Sequence, residues 1–298
     1  MNVLLFPGQG VQKIGMLDFL ISSNLEVKNL IKSTSEVLDF DLLELISTGP
    51  EEKINLTEYA QPAILAASVA IARSSEITER ISFTAGLSLG EYSALVYAEC
   101  IDFKDAIRLV NARGRLMQNA VPEGTAGMLV ILNMPLSEII IMIEKINESG
   151  EIVDFSTDNA DGVSVLAGTN SAIEACISYV ENGDFRRVKT QLVKMSVPSH
   201  CSLLESAQEE LAKLLNEIDF NKPKIPVLPN VLALPTTDTE QIKKALINQL
   251  CSTVRWRESL EYLVNNNLKI IYDAGPEKTI ISMARKLKDV EKISLLDA

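Results

Sequence analysis

Apolar and polar positions follow two rhythms along the chain. Short, nearly unbroken apolar runs read as strands: "NVLLF" (2–6), "ISFTAG" (81–86), "IPVLPNVLA" (225–233) and "LKIIYDAG" (268–275). Between them apolar residues recur at helical spacing, from Glu26 to Ile46, from Thr57 to Ser75, through "LGEYSALVYAE", and through "FKDAIRLVNARGRLMQNA" with Asp102 as its N-cap. "HCSLLESAQEELAKLLNEI" predicts a further helix.

After "VPEGTAG" the order changes. "MLVIL" predicts a strand, "LSEIIIMIEKINES" a helix, "EIVDF" and "VSVLAG" a strand pair, "NSAIEACISYVEN" a helix and "RRVKTQLVKMSV" a strand. That β-α-β-β-α-β order is the ferredoxin-like split unit. The predicted fold class is therefore α/β: a discontinuous large domain (1–121 and 195–298), α/β-hydrolase-like in its strand–elbow–helix, with a ferredoxin-like small domain (122–194) inserted.

Bulk properties narrow the function classes. With 298 residues, 47% of them hydrophobic and 23% charged, the chain is long enough to bury a substantial core. "MNVLLFPGQG" has no basic leader and meets a Pro-Gly turn after a short apolar run, too short for a signal segment or membrane span, so a cytoplasmic setting is expected. Cys100, Cys176, Cys201 and Cys251 have no C-x-x-C spacing and read as reduced core residues. Twenty-eight Lys and Arg against forty Asp and Glu leave a net charge of −12, which speaks against nucleic-acid binding. No cofactor is expected. A dinucleotide loop at "FPGQGVQKIG" fails because Lys13 stands where a glycine is needed.

Candidate chemistry centres on Gly86-x-Ser88-x-Gly90. Between a strand and a helix this is the pattern of a nucleophile elbow, although the five-residue pattern also arises by chance. A serine hydroxyl needs a base to take its proton, and the chain has one histidine, so a Ser-His mechanism uses His200 or does not exist. A lone histidine with no cysteine pair makes a metal site improbable. Arg113 lies on the helix after the elbow helix, and with Arg108 and Arg115 near it the pattern alone also fits a solvated arginine.

"FPGQG", "GLSLGEYSAL", "RGRLMQNAVPEG", "SVPSHC" and "NQLCSTVRW" stand in the order and spacing of bacterial malonyl-CoA:acyl-carrier-protein transacylases and related polyketide acyltransferase domains. The chain resembles that family along essentially its whole length. The resemblance implies that Ser88 carries the acyl group as an ester and that His200 is its general base. It implies that the backbone N–H groups of Gln9 and Leu89 form the oxyanion hole, that Arg113 pairs with the malonate carboxylate, and that the Gln249 carbonyl orients the histidine. The expected reaction is malonyl transfer from coenzyme A to the phosphopantetheine thiol of an acyl carrier protein, for fatty-acid synthesis or in trans for polyketide synthesis.

Two departures bear on the acyl group. Leu87 replaces a histidine common before the nucleophile. In the 154–162 stretch Ser156, Asp158, Ala160 and Gly162 replace an Asn-x-Asn-x-Pro-x-Gln pattern bordering the acyl pocket in relatives. A substituted malonyl, an editing hydrolase on carrier-bound acyl groups, and a catalytically silent docking module remain as alternatives. Carrier proteins are usually acidic, so Arg186, Arg187, Lys189 and Lys194 are the candidate docking cluster.

Overall fold

The computed structural model describes every residue except Lys194, Ser196 and Ala298. Its strands are β1 (Asn2–Phe6), β2 (Ile81–Gly86), β3 (Ala126–Leu132), β4 (Val153–Ala160), β5 (Val163–Thr169), β6 (Lys189–Leu192), β7 (Ile270–Asp273) and β8 (Glu291–Ser294). They form two sheets. A parallel sheet has the order β2-β1-β7-β8, and an antiparallel sheet the order β4-β5-β3-β6.

The unbroken apolar runs have a direct cause in the parallel sheet. Side chains alternate across a strand, and here both faces are covered. Leu4 and Phe6 enter the core with Ile64, Leu65 and Leu95, while Val3 and Leu5 face the other way onto Trp256, Leu260 and Leu263. These four of the five β1 residues are fully buried. The helix Thr57–Ser74 is buried on nearly every side, which is why its apolar pattern shows little polar face.

The antiparallel sheet takes all its strands from 126–192, and the parallel sheet takes its strands from either side of that stretch. One face packs on the helices Leu136–Glu148 and Asn170–Asn182 through Leu129, Ile131, Ile139, Leu166 and Ile173. The alternate residues Met128, Val130 and Val165 point to the opposite face, which forms one wall of the central pocket.

Several predicted elements are corrected. The 26–46 helix is broken into Leu25–Lys32, a 3-10 turn Ser33–Glu36, and Leu42–Thr48. The hydroxyls of Ser33, Thr34 and Ser35 donate back to the carbonyls of Leu30, Ile31 and Lys32, and Asp41 caps a new start by accepting from Glu44 N. "IPVLPNVLA" is not a strand. Val227 makes isolated bridges to Thr84 and Thr236, and Pro226 and Pro229 lack the N–H groups a ladder needs. The strand read through 186–197 begins only at Lys189, as β6, because Phe185–Val188 close a turn first. The helix after His200 spans Glu205–Glu217, following a 3-10 turn. The strand predicted over "EIVDF" runs on as β4 as far as Ala160, and β8 has no counterpart among the predicted strands. Asp102 does cap the helix Phe103–Ala120, accepting from Lys104 N and Asp105 N. The four cysteines are free thiols, three of them buried.

Candidate active site

The pairing of β1 with β2 brings two loop starts together at the carboxyl ends of parallel strands, where ligand crevices form in α/β sheets. Phe6 pairs with Gly86, and Leu87 N donates to Phe6 O at 2.9 Å. One chain then runs on through Gly8 and Gln9, the other through Ser88. Ser88 has φ 53°, a left-handed conformation costly for a residue with a side chain.

The flanking glycines allow that turn to sit so close to the sheet. A Cβ on Gly86 would lie 1.9 Å from Gly90 C, and one on Gly90 would lie 2.4 Å from Phe6 O. Asn230 ties the bend from outside. Its Oδ1 accepts from Ser88 N at 2.7 Å and its Nδ2 donates to Gly86 O at 2.7 Å.

His200 is buried and also adopts a left-handed φ of 59°. Its Nε2 lies 2.7 Å from Ser88 Oγ and its Nδ1 lies 2.7 Å from Gln249 O. A carbonyl only accepts, so Nδ1 carries the proton and the bare Nε2 faces the serine hydroxyl. Burial pulls the His200 pKa down to about 4, helped by Arg113 and opposed by the bond to Gln249. The imidazole is a neutral base at neutral pH. Ser156 Oγ donates to Ser199 O at 2.7 Å and steadies the loop from the β4 side.

Arg113 differs from the arginines near it. Arg108 is paired with Asp105, and Arg115 with Asp39 and Glu58, on the helix surface. Arg113 is 1% exposed. Its neighbour Gly114 lets the helix approach until a Cβ there would sit 2.6 Å from Glu58 Cα, which carries Arg113 inward. Its Nη2 donates to Gln249 Oε1 at 3.2 Å and its guanidinium lies 5.6 Å from the centre of the Tyr92 ring. Nε has no partner, and Arg113 forms no ion pair among the described residues. Burial lowers its pKa, opposed by Tyr92 and Glu91.

Ser88, His200, Arg113, Gln9 and Leu89 line one pocket of ≈ 220 Å³, with Gln249 fully buried behind it. Gln9 turns its side chain aside, Nε2 donating to Thr57 Oγ1 at 3.3 Å. Leu89 buries its side chain at the N-cap of the helix Gly90–Tyr97, where first-turn amides lack intrahelical partners. Most of the remaining wall is apolar, including Met117, Met128, Val130 and Met283.

The β4 residues divide differently from the expectation. Asp158 points to an ion pair with Arg257 at 2.8 Å, and Ser156 to the His200 loop. Thr157 and Asn159 line the pocket instead, with Thr157 Oγ1 and Asn159 Oδ1 unpartnered. Sequence reasoning also missed Asn230 and Glu91. Glu91 carried a signal, a carboxylate inside an otherwise apolar helix, whereas nothing in "LPNVLA" marks Asn230. Lys194 of the candidate docking cluster lies outside the described residues. Arg186 and Lys189 are exposed, Arg186 beside Asp184 at 3.5 Å. Among the described residues, no group of three His, Cys, Asp or Glu is placed to hold a metal ion, and no helix is long and apolar enough to cross a membrane.

Comparison with known proteins finds the acyl transferase domain family matching residues 3–289. A malonyl CoA-acyl carrier protein transacylase of Haemophilus influenzae is 41% identical over 99% of this chain and 95% of its own. The crystal structure of an acyl carrier protein S-malonyltransferase from Vibrio cholerae superposes with a TM-score of 0.93 at 41% identity, covering 98% of this chain and 96% of that one. A malonyl-transacylase solved in complex with a type II polyketide acyl carrier protein gives a TM-score of 0.92 at 38% identity, over 98% and 95%.

Proposed function

The chain belongs to the acyl transferase domain family, and on that footing we propose that it moves malonyl from coenzyme A to the phosphopantetheine thiol of an acyl carrier protein through an ester on Ser88. One observation carries the reading: a neutral His200 aligned at 2.7 Å on Ser88 Oγ shares a small pocket with a buried arginine that has no carboxylate partner. A buried cation with an unused N–H and no carboxylate in direct contact favours a substrate that brings one.

The steps follow from the atoms present. His200 Nε2 takes the Ser88 proton as Oγ attacks the malonyl thioester carbon. The oxyanion of the tetrahedral intermediate is held by the Gln9 and Leu89 amides. Collapse breaks the C–S bond, and His200 returns the proton to the departing coenzyme A thiolate. The carrier thiol then repeats the sequence in reverse, giving ping-pong kinetics. Transfer between two thioesters is nearly isoenergetic, so the ester intermediate needs no external energy source. Arg113 meets the free carboxylate with a planar fork, selecting diacid half-esters over neutral acyl groups.

The relatives' names and the carrier complex of one of them support an acyl carrier protein as acceptor. A cytoplasmic setting, and supply of malonyl to fatty-acid or polyketide synthesis, go with that reading. Intact mass after incubation with malonyl-CoA tests it. Wild type is expected to gain one malonyl group and Ser88→Ala none; an adduct of undiminished yield on Ser88→Ala would remove Ser88 from the mechanism.

A further inference from the structure

Glu91 stands in the first turn of the elbow helix and is 1% exposed. Its Oε2 accepts from Asn230 N at 2.9 Å and from Gln249 Nε2 at 2.8 Å, while Oε1 has no partner. The same Gln249 amide donates to Ser88 O at 3.1 Å, and its Oε1 accepts from Arg113. One neutral amide therefore bridges the buried carboxyl and the buried guanidinium.

Few other charges reach this carboxyl. β1 and β2, packed against its helix, carry no charged residue, and Glu58 on the helix Thr57–Ser74 is engaged by Arg115. Asn230 and Gln249 are neutral. His200 is held neutral by burial, and Tyr92 has its pKa pushed up to about 12. Arg113 is left as the facing charge.

A malonyl carboxylate placed on Arg113 would give this desolvated site two anions for one cation. Two carboxylates sharing one counter-charge raise each other's pKa until one is protonated. The substrate carboxylate contacts the guanidinium directly and keeps its charge. Glu91 is one amide removed and has an oxygen free to hold a proton.

We propose that Glu91 is the counter-charge of Arg113 in the empty pocket and takes one proton from solvent when a substrate carboxylate arrives, so that loading a diacid is linked to proton uptake and loading a neutral acyl group is not. This positioning role rests on the malonyl reading above. Burial pushes the Glu91 pKa up to about 7, against the hydrogen bonds from Asn230 and Gln249 and the attraction of Arg113, which puts the transition within the working range. The sign follows. Below about pH 7 Glu91 is already protonated and loading is independent of pH. Above it, each further unit leaves about tenfold less of the protonated form, and malonyl loading falls accordingly.

The test measures Ser88 loading between pH 5.5 and 9 with malonyl-CoA and acetyl-CoA, on wild type and Glu91→Gln. The donors share coenzyme A, so its phosphate titration cancels in their ratio. The malonyl-to-acetyl ratio in wild type is expected to fall towards tenfold per unit above pH 7.5, and in Glu91→Gln to stay flat. Glutamine keeps an acceptor for Asn230 N and Gln249 Nε2, so a merely structural role would leave the profile unmoved. Should Glu91→Gln fail to fold, malonyl-CoA titrated calorimetrically into Ser88→Ala at pH 8, in two buffers of unlike ionisation enthalpy, is expected to show close to one proton taken up. A flat wild-type ratio, a slope retained in Glu91→Gln, or no proton uptake would overturn the proposal. Absence of any malonyl on Ser88 would instead overturn the reading beneath it.

Discussion

Burial keeps His200 unprotonated, so that in the proposed transfer it is free to take the Ser88 proton. Its depressed pKa means that protonation, and loss of the Ser88 contact, sets in near pH 4 instead of near the 6.5 of a free imidazole. Acylation by acetyl-CoA, which brings no carboxylate, is therefore expected to stay level from pH 8 to about 5 and to fall near 4; a midpoint near 6.5 would mean a solvated histidine. The stability linkage has the same direction. A histidine buried neutral binds fewer protons than the unfolded chain between pH 6.5 and 4, so its contribution is lost as pH falls through that window. Arg113 is tested by its donor dependence. Truncating one partner of a buried charge pair costs about 2 to 5 kcal/mol, roughly 30-fold to several thousand-fold in kcat/KM for malonyl-CoA. Acetyl-CoA transfer by Arg113→Ala should be kept or improved, and Arg113→Lys should rescue malonyl only in part, since an ammonium lacks the two-pronged contact. Equal losses for both donors would make Arg113 structural. That Ser88, His200, Arg113 and Gln249 would meet in one place was legible only through the family resemblance of five ordered motifs, since each residue's own pattern also fits an ordinary structural position. Asn230 and Glu91 were not legible, because their roles arise from atoms brought together across 139 positions of chain.

Strand, elbow and helix form one mechanical piece, held by backbone contact more than by side chains. Gly86→Ala would drive a methyl into Gly90, so strand and helix must part, and a large loss of soluble, folded protein is expected. A Gly86→Ala protein with wild-type Tm and activity would contradict this packing. Asn230→Ala is the subtler probe. It strips the partners from Ser88 N and Gly86 O, about 1 to 3 kcal/mol for each buried group left unsatisfied, and frees the serine to drift. Tm should drop and Ser88 loading slow on the order of 10- to 100-fold, with the shape of the pH profile unchanged. The same contacts explain where element reading failed. The 225–233 run looks like a strand because it is apolar and lies beside Thr84, yet its prolines leave bridges where a ladder would be. The long helix predicted from residue 26 broke where three consecutive hydroxyl residues bonded their own backbone. Periodicity reports burial faithfully and is blind to such local competition.

At the scale of the molecule, the parallel sheet positions Ser88, the proposed nucleophile, while the antiparallel sheet contributes an apolar wall from Met128, Val130 and Val165. The pocket between them, at ≈ 220 Å³, matches the small acyl group of the proposed reaction. The chain carries a net −12, so an acidic carrier must approach a local patch of the opposite sign. Reversing Arg187 and Lys189 to glutamate is expected to raise KM for the carrier and leave KM for malonyl-CoA alone; equal effects on both would point away from docking. The proposed transfer itself is tested most directly by isolating the malonyl-enzyme, adding holo acyl carrier protein in excess, and following the masses of both proteins. Malonyl should leave Ser88 and appear on the carrier thiol, with the enzyme returning to its unmodified mass. Release as free malonate, with the carrier unloaded, would contradict the account and make the same serine and histidine a hydrolase.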